Sequence, residues 1–155
     1  MKQEEFISDE AEATFELGER IGGQLRSGDV VLLFGGLGAG KTLLTKGILN
    51  VLDYDIDEVT SPSFALVNLY KTPNFHVYHI DLWRLDENSD VAGAVGLEDI
   101  LHTENAVTII EWSEKLRNFS HPGRIIRISI QGDGDEPRNI SIDLPGFKGR
   151  GTAPK

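Results

Sequence analysis

Val30-Val31-Leu32-Leu33-Phe34-Gly35-Gly36-Leu37-Gly38-Ala39-Gly40-Lys41-Thr42 is the stretch on which the reading of this chain turns. Its first five residues are continuously apolar and rich in branched side chains, the pattern of a strand covered on both faces. A glycine-dense turn follows, and Lys41 to Leu49 resumes helical spacing. Gly35 to Thr42 fits G-x-x-x-x-G-K-[ST], and the strand before and helix after are the context that separates a phosphate loop from a glycine turn that binds nothing. Glycines let successive backbone N–H groups curl around a polyphosphate, and the helix N-terminus adds a favourable dipole. The candidate nucleotide contacts are Gly36, Leu37, Gly38, Ala39, Gly40, Lys41, Thr42 and Leu43. Lys41 is expected to reach the β- and γ-phosphates, and the Thr42 hydroxyl to ligate Mg2+.

Outward from the loop, residues 10 to 26 read as an amphipathic helix, with Ser8 or Asp9 as cap and Glu12 completing a capping box. Downstream, Phe64 to Tyr70 and His76 to Leu82 read as strands of a hairpin around Lys71-Thr72-Pro73-Asn74-Phe75. Asp86 to Gly96 reads as a Gly- and acid-rich stretch before a short helix, Leu97 to Thr103. Ala106 to Ile110 is a second buried-strand candidate. Arg124 to Gln131 and Arg138 to Leu144 flank the turn Gly132-Asp133-Gly134-Asp135-Glu136-Pro137. These elements predict a P-loop NTPase-like α/β three-layer sandwich, with a mixed, mostly parallel sheet and a C-terminal antiparallel hairpin. Residues 1–146 form one P-loop ATPase domain in this reading, and 147–155 a flexible C-terminal tail.

Composition narrows the partners. The 155 residues carry 15 Lys+Arg against 25 Asp+Glu, a formal net charge of −10. Unassisted binding to a phosphate polymer is opposed by that charge. There is no cysteine, so no disulfide, and the apolar runs are too short to cross a bilayer. With no apolar leader segment visible, a cytoplasmic location is expected.

A phosphate loop also needs a carboxylate at a strand end for the metal and a group to orient the nucleophile. Glu111 ends Ala106 to Ile110 in the Walker-B position, and Asp81 lies at the end of His76-Val77-Tyr78-His79-Ile80-Asp81. Thr60-Ser61-Pro62-Ser63 sits where such enzymes carry a loop sensing the γ-phosphate, and Pro62 disfavours helix at Ser61. His76 and His79 face opposite sides of a strand, and no further His or Cys cluster supports zinc. No N-K-x-D guanine motif is present, so ATP is preferred over GTP by exclusion. Asp90-Val91-Ala92-Gly93 matches D-x-x-G without a preceding apolar strand and is read as coincidence. Arg84 and Arg117 are scattered rather than clustered as in a kinase lid.

The motifs together resemble the TsaE family, small P-loop ATPases of bacterial tRNA threonylcarbamoyladenosine synthesis. The resemblance spans roughly residues 5 to 145. It rests on Ser27-Gly28-Asp29, Gly36 to Thr42, Thr60-Ser61-Pro62-Ser63-Phe64, His79-Ile80-Asp81-Leu82-Trp83-Arg84 and Ile110-Glu111-Trp112-Ser113-Glu114. It implies an ATPase acting with the TsaB–TsaD pair, with ATP and Mg2+ as cofactors and tRNA contacted only through the complex. By the family's motifs, Lys41 and Thr42 bind phosphate and Mg2+, Glu111 belongs to the metal shell, Asp81 is the catalytic or water-positioning acid, and Thr60 is the switch-like hydroxyl. The chain departs from the family at Gly36 (usually Asp), Leu43 (Thr), Ser63 (Thr) and Trp83 (Tyr). A small-molecule kinase and a non-hydrolysing nucleotide-sensing module remain alternatives, and Trp112 is left open between core and contact residue.

Overall fold

The computed structural model describes residues 3–144 apart from 37, 61–65, 118 and 133, and only the backbone of Gln3. The readings that fell on Leu37, on Ser61-Pro62-Ser63 and on the 147–155 tail lie outside the described residues.

Seven strands form one sheet in the order β1-β7-β6-β2-β5-β4-β3. They are β1 Gln3–Ser8, β2 Val30–Phe34, β3 Val67–Lys71, β4 His76–Asp81, β5 Ala106–Glu111, β6 Ile125–Gln131 and β7 Arg138–Asp143. The centre is parallel: β2 runs with β6 on one side and with β5 on the other, and β5 runs with β4. The edges are antiparallel, β3 on β4 and β1 on β7 on β6. Helices α1 Ala11–Gly22, α2 Lys41–Val51, α3 Val91–Val95 and α4 Leu97–Leu101 complete the main elements.

Alternation along the central strands builds the three layers. Val31 and Leu33 of β2, Val77 of β4 and Val107 and Ile109 of β5 pack with Leu17, Ile21, Leu44 and Ile48 of α1 and α2. Their neighbours Val30, Leu32, Ile80 and Ile110 turn to the other face, against Val91 and Leu97 of α3 and α4. All six residues of β5 are buried, which is why that segment reads as a continuous rather than alternating apolar run.

The helices that carry the loop meet at unusually close range. A Cβ placed on Gly47 would lie 2.1 Å from the Phe15 carbonyl oxygen, and one on Gly18 would lie 2.3 Å from that of Leu44. Glycine at both positions lets the backbones of α1 and α2 touch, which fixes α2 and the phosphate loop at its head.

Several elements differ from the sequence reading. The first helix is shorter, and its N-cap is Glu10 with no side-chain capping bond. The capping box predicted at Asp9 and Glu12 does not form. Instead the Ser8 hydroxyl donates to the Glu10 carbonyl (2.9 Å) and lies 2.7 Å from the Thr14 hydroxyl. Residues ahead of that helix form β1, whose Glu4, Glu5 and exposed Ile7 give no apolar alternation; its order comes from pairing with β7. The stretch Asp86 to Gly96 contains α3, capped by the Asp90 carboxylate accepting from the Gly93 N–H at 3.0 Å. That bond gives the D-x-x-G match a local structural role. The fourth helix ends at Leu101 rather than Thr103, and the described part of β3 begins at Val67.

Candidate functional site

Strand β2 ends at Phe34 and α2 begins at Lys41, with Gly40 at the junction in a left-handed conformation, φ +112°. The N-cap residue Gly40 has no side chain to cap α2, and the first-turn N–H groups of this eleven-residue helix face the loop. Lys41 is buried, and its ammonium donates to the carbonyls of Gly35 (2.7 Å) and Gly36 (2.8 Å). It also lies 4.7 Å from the Trp112 ring centroid. Burial lowers the Lys41 pKa below its ordinary 10.5, while Glu111, then Glu114 and Asp81, pull it back up. The lysine is thus held at the loop by its own backbone and surrounded by three carboxylates.

Sheet register brings those acids together from distant sequence positions. Leu33 pairs with Glu111, and Glu111 with Asp81, so one row across β2, β5 and β4 carries both carboxylates. Both acids are buried, 3% exposed each, on the face that α2 covers. The Asp81 carboxylate accepts from the Trp83 N–H at 2.9 Å, and Glu114 accepts from the Gly35 N–H at 2.9 Å. The donor set of Thr42 hydroxyl and carboxylate oxygens is hard, which suits Mg2+. Among the described residues no group of three or more His, Asp or Glu could hold a metal by itself.

A chain of polar groups leads outward from Glu111. His79 is fully buried, and its Nε2 is 2.5 Å from Glu111 Oε2. Its Nδ1 is 3.3 Å from the Tyr70 hydroxyl, which donates to the Thr60 carbonyl at 3.0 Å. Asn68 donates to that hydroxyl (3.2 Å) and to the Thr60 carbonyl (3.3 Å). Thr60 itself is exposed beside β3.

On the opposite flank, Arg138 of β7 donates to Ala39 (3.0 Å) and Gly38 (3.3 Å) of the loop. It also donates to the Gly134 and Glu136 carbonyls of the β6–β7 turn. A cleft of about 280 Å³ opens there, lined by Ser8, Thr14, Gly40, Leu43, Asp135 and Arg138 among others.

Lys41, Asp81 and Glu111 therefore converge, Thr60 joins them through hydrogen bonds, and Leu43 lines the cleft beside the loop. His76 is exposed, so the two histidines form no pair. Trp112 is half-buried, with its ring 4.8 Å from that of Trp83, and Lys41 over it places it at the site rather than in the core alone. Arg138, Tyr70 and the part played by His79 were not anticipated. His79 and Glu114 stand in the quoted motifs, but nothing local in the sequence marks Arg138 or Tyr70, because sheet pairing is what carries Arg138 to the loop and Tyr70 to His79.

The fold and this loop define a P-loop NTPase-like α/β domain. The family model described as "Threonylcarbamoyl adenosine biosynthesis protein TsaE" matches residues 8–140. The chain belongs to the TsaE family. It is 32% identical over 142 residues to the tRNA threonylcarbamoyladenosine biosynthesis protein TsaE of Rickettsia bellii, covering 92% of this chain and 96% of that one. To the protein of the same name from Mycobacterium tuberculosis it is 42% identical over 113 residues, 68% of this chain and 66% of that one. The crystal structure of Bacillus subtilis YdiB superposes with a TM-score of 0.71 at 28% identity, covering 94% of this chain and 87% of that chain.

Proposed function

We propose that this chain is a Mg2+-dependent ATPase that drives the tRNA threonylcarbamoyladenosine modification cycle in the cytoplasm together with the TsaB–TsaD pair. Family membership supports the pathway, and the convergence of Lys41, Asp81 and Glu111 at the head of α2 carries the chemistry. The loop N–H groups and Lys41 bind the β- and γ-phosphates, for which Lys41 exchanges its bonds to Gly35 and Gly36. Thr42 and Glu111 hold Mg2+, which when bound supplies positive charge against the phosphates. Asp81 orients the attacking water, and Thr60 senses the γ-phosphate end. The cleft beside Leu43 receives the nucleoside.

Arg138 is already committed to two carbonyls of the loop and two of the β6–β7 turn. An additional charge on the transferring phosphoryl group then comes from a partner, so turnover is slow alone and stimulated in the complex. The net charge of −10 suits a protein that contacts the partner enzymes and reaches tRNA through them. The test is ATP turnover with and without TsaB–TsaD, for the wild type and for Asp81→Ala and Glu111→Ala. Stimulation that both variants abolish is expected. No stimulation, with the variants unaffected, refutes the assignment, and phosphate appearing on an added small acceptor instead of in water points to a kinase.

A further inference from the structure

We infer that Tyr70 and His79 form a strut that orients the Glu111 carboxylate and ties it to Thr60. This deepens the proposed function and rests on it for the roles of Glu111 and Thr60. The four groups come from three strands and a loop, yet they touch in sequence: Thr60 carbonyl, Tyr70 hydroxyl, His79 imidazole, Glu111 carboxylate. A phenol has one proton, and Tyr70 gives it to Thr60. The Tyr70 oxygen faces Nδ1 of His79, and the far ring nitrogen, Nε2, faces the Glu111 carboxylate. Asn68 occupies a further position on the same hydroxyl and carbonyl, so the Tyr70 oxygen is held from two sides.

Packing leaves the strut little freedom. Tyr70 is 3% exposed and His79 0%, and the Tyr70 ring is flanked by Tyr54 at 4.9 Å and by the His79 ring at 5.9 Å between centroids. Asn68 stands opposite His79 across the antiparallel pair and shares a face with Tyr70. A lone buried histidine needs only one partner at each nitrogen; here the two partners are a candidate metal-shell carboxylate and a phenol anchored on a candidate phosphate-sensing residue. A displacement of Thr60 is thereby transmitted to Glu111 through three hydrogen bonds and the rigid imidazole ring. Tyr70 and His79 are positioning residues: neither is placed to touch nucleotide.

Tyr70→Phe removes a single oxygen from the strut and keeps the ring packing. Two measurements decide the inference. Nitrogen NMR of the His79 side chain in the unliganded chain is expected to show both ring resonances displaced by Tyr70→Phe and by Glu111→Gln. In the TsaB–TsaD-stimulated reaction, Tyr70→Phe is expected to raise the Mg2+ concentration for half-maximal turnover by about tenfold, and His79→Gln by as much or more, as for other groups that orient a metal-binding carboxylate. Binding of ATP without Mg2+ is expected to stay at the wild-type level in Tyr70→Phe, which a general loss of structure would not allow. In the Glu111→Gln background, Tyr70→Phe is expected to add nothing. Unmoved ring resonances, an unchanged Mg2+ dependence, or fully additive effects overturn the strut. Absence of ATP turnover in the wild-type complex refutes the proposed function instead, and the strut is then decided by the resonances and by the Mg2+ affinity of the ATP-loaded chain.

Discussion

Gly47→Ala tests whether contact between the backbones of α1 and α2 sets the position of the phosphate loop. The added Cβ would lie 2.1 Å from the Phe15 carbonyl oxygen, 3.0 Å from its carbon and 3.1 Å from the Glu19 nitrogen. A relaxed C···O contact is about 3.3 Å, so the helices must separate by roughly 1 Å. A gap of that size forfeits about a quarter to a half of the dispersion well for atoms on the two sides. Leu17, Ile21, Leu44 and Ile48 meet across this interface and are all buried. At about 2 kcal/mol of burial each, the loss is about 2–4 kcal/mol. Alanine returns up to about 1 kcal/mol in helix propensity, leaving a net destabilisation of about 1–3 kcal/mol.

Urea unfolding followed by circular dichroism, with the m-value checked for constancy, measures this directly. Gly18→Ala meets Leu44 at the same interface, and one opening serves both substitutions, so the double variant should cost less than the two singles together. Gly23→Ala is the control: its Cβ would lie 3.6 Å from the nearest oxygen, and its φ of −67° suits alanine. Nucleotide affinity should fall with Gly47→Ala, because α2 starts at Lys41. Wild-type stability in Gly47→Ala, or a cost equal to that of Gly23→Ala, would refute close approach as the device that positions α2.

Lys41→Met should abolish detectable nucleotide binding by calorimetry, yet cost the unliganded fold little, because the buried ammonium carries a net desolvation penalty. The sign follows from the lowered pKa: the penalty is fully present below the folded-state pKa and disappears as pH rises from there to 10.5, where the unfolded lysine also loses its proton. The wild type should therefore gain stability relative to Lys41→Met over that alkaline window, measured by denaturant unfolding at stepped pH. Asp29→Asn should destabilise by about 2 kcal/mol, since the Asp29 carboxylate accepts from Arg124 at 2.7 and 3.1 Å and from the Arg26 N–H at 2.7 Å. An Asp29–Arg124 double-mutant cycle checks that coupling. ATP should change Trp112 emission by drawing Lys41 off its ring, and Lys41→Met should abolish the change.

The parallel centre of the fold was legible because β2 and β5 are apolar on both faces, and the turn chemistry after them is punctuated by glycine and acid. The loop and both strand-end acids were legible for the same reason: each sits where an apolar run stops. The N-terminal strand was not, because its residues are acidic and its order is borrowed from β7. Helix α3 was hidden by Gly93, which lowers helix propensity within a five-residue element that Gly96 ends as its C-cap. In the site, Arg138 and Tyr70 were invisible because their roles depend on which strands neighbour one another, and strand order is a tertiary property.

The row Leu33–Glu111–Asp81 has a consequence for how the chain finds its fold. Side chains alternate across a strand, so a one-residue slip of β4 or β5 would turn its acid into the layer held by Leu32, Ile80 and Ile110. A carboxylate turned into that apolar layer would leave the Lys41 side of the sheet and lose its water, a cost of several kcal/mol. Parallel strands joined by long connections receive little register information from their turns. The two acids that make the candidate site thus also penalise every misaligned pairing of the strands that carry them, and a variant with both neutralised and apolar should fold with less unique register.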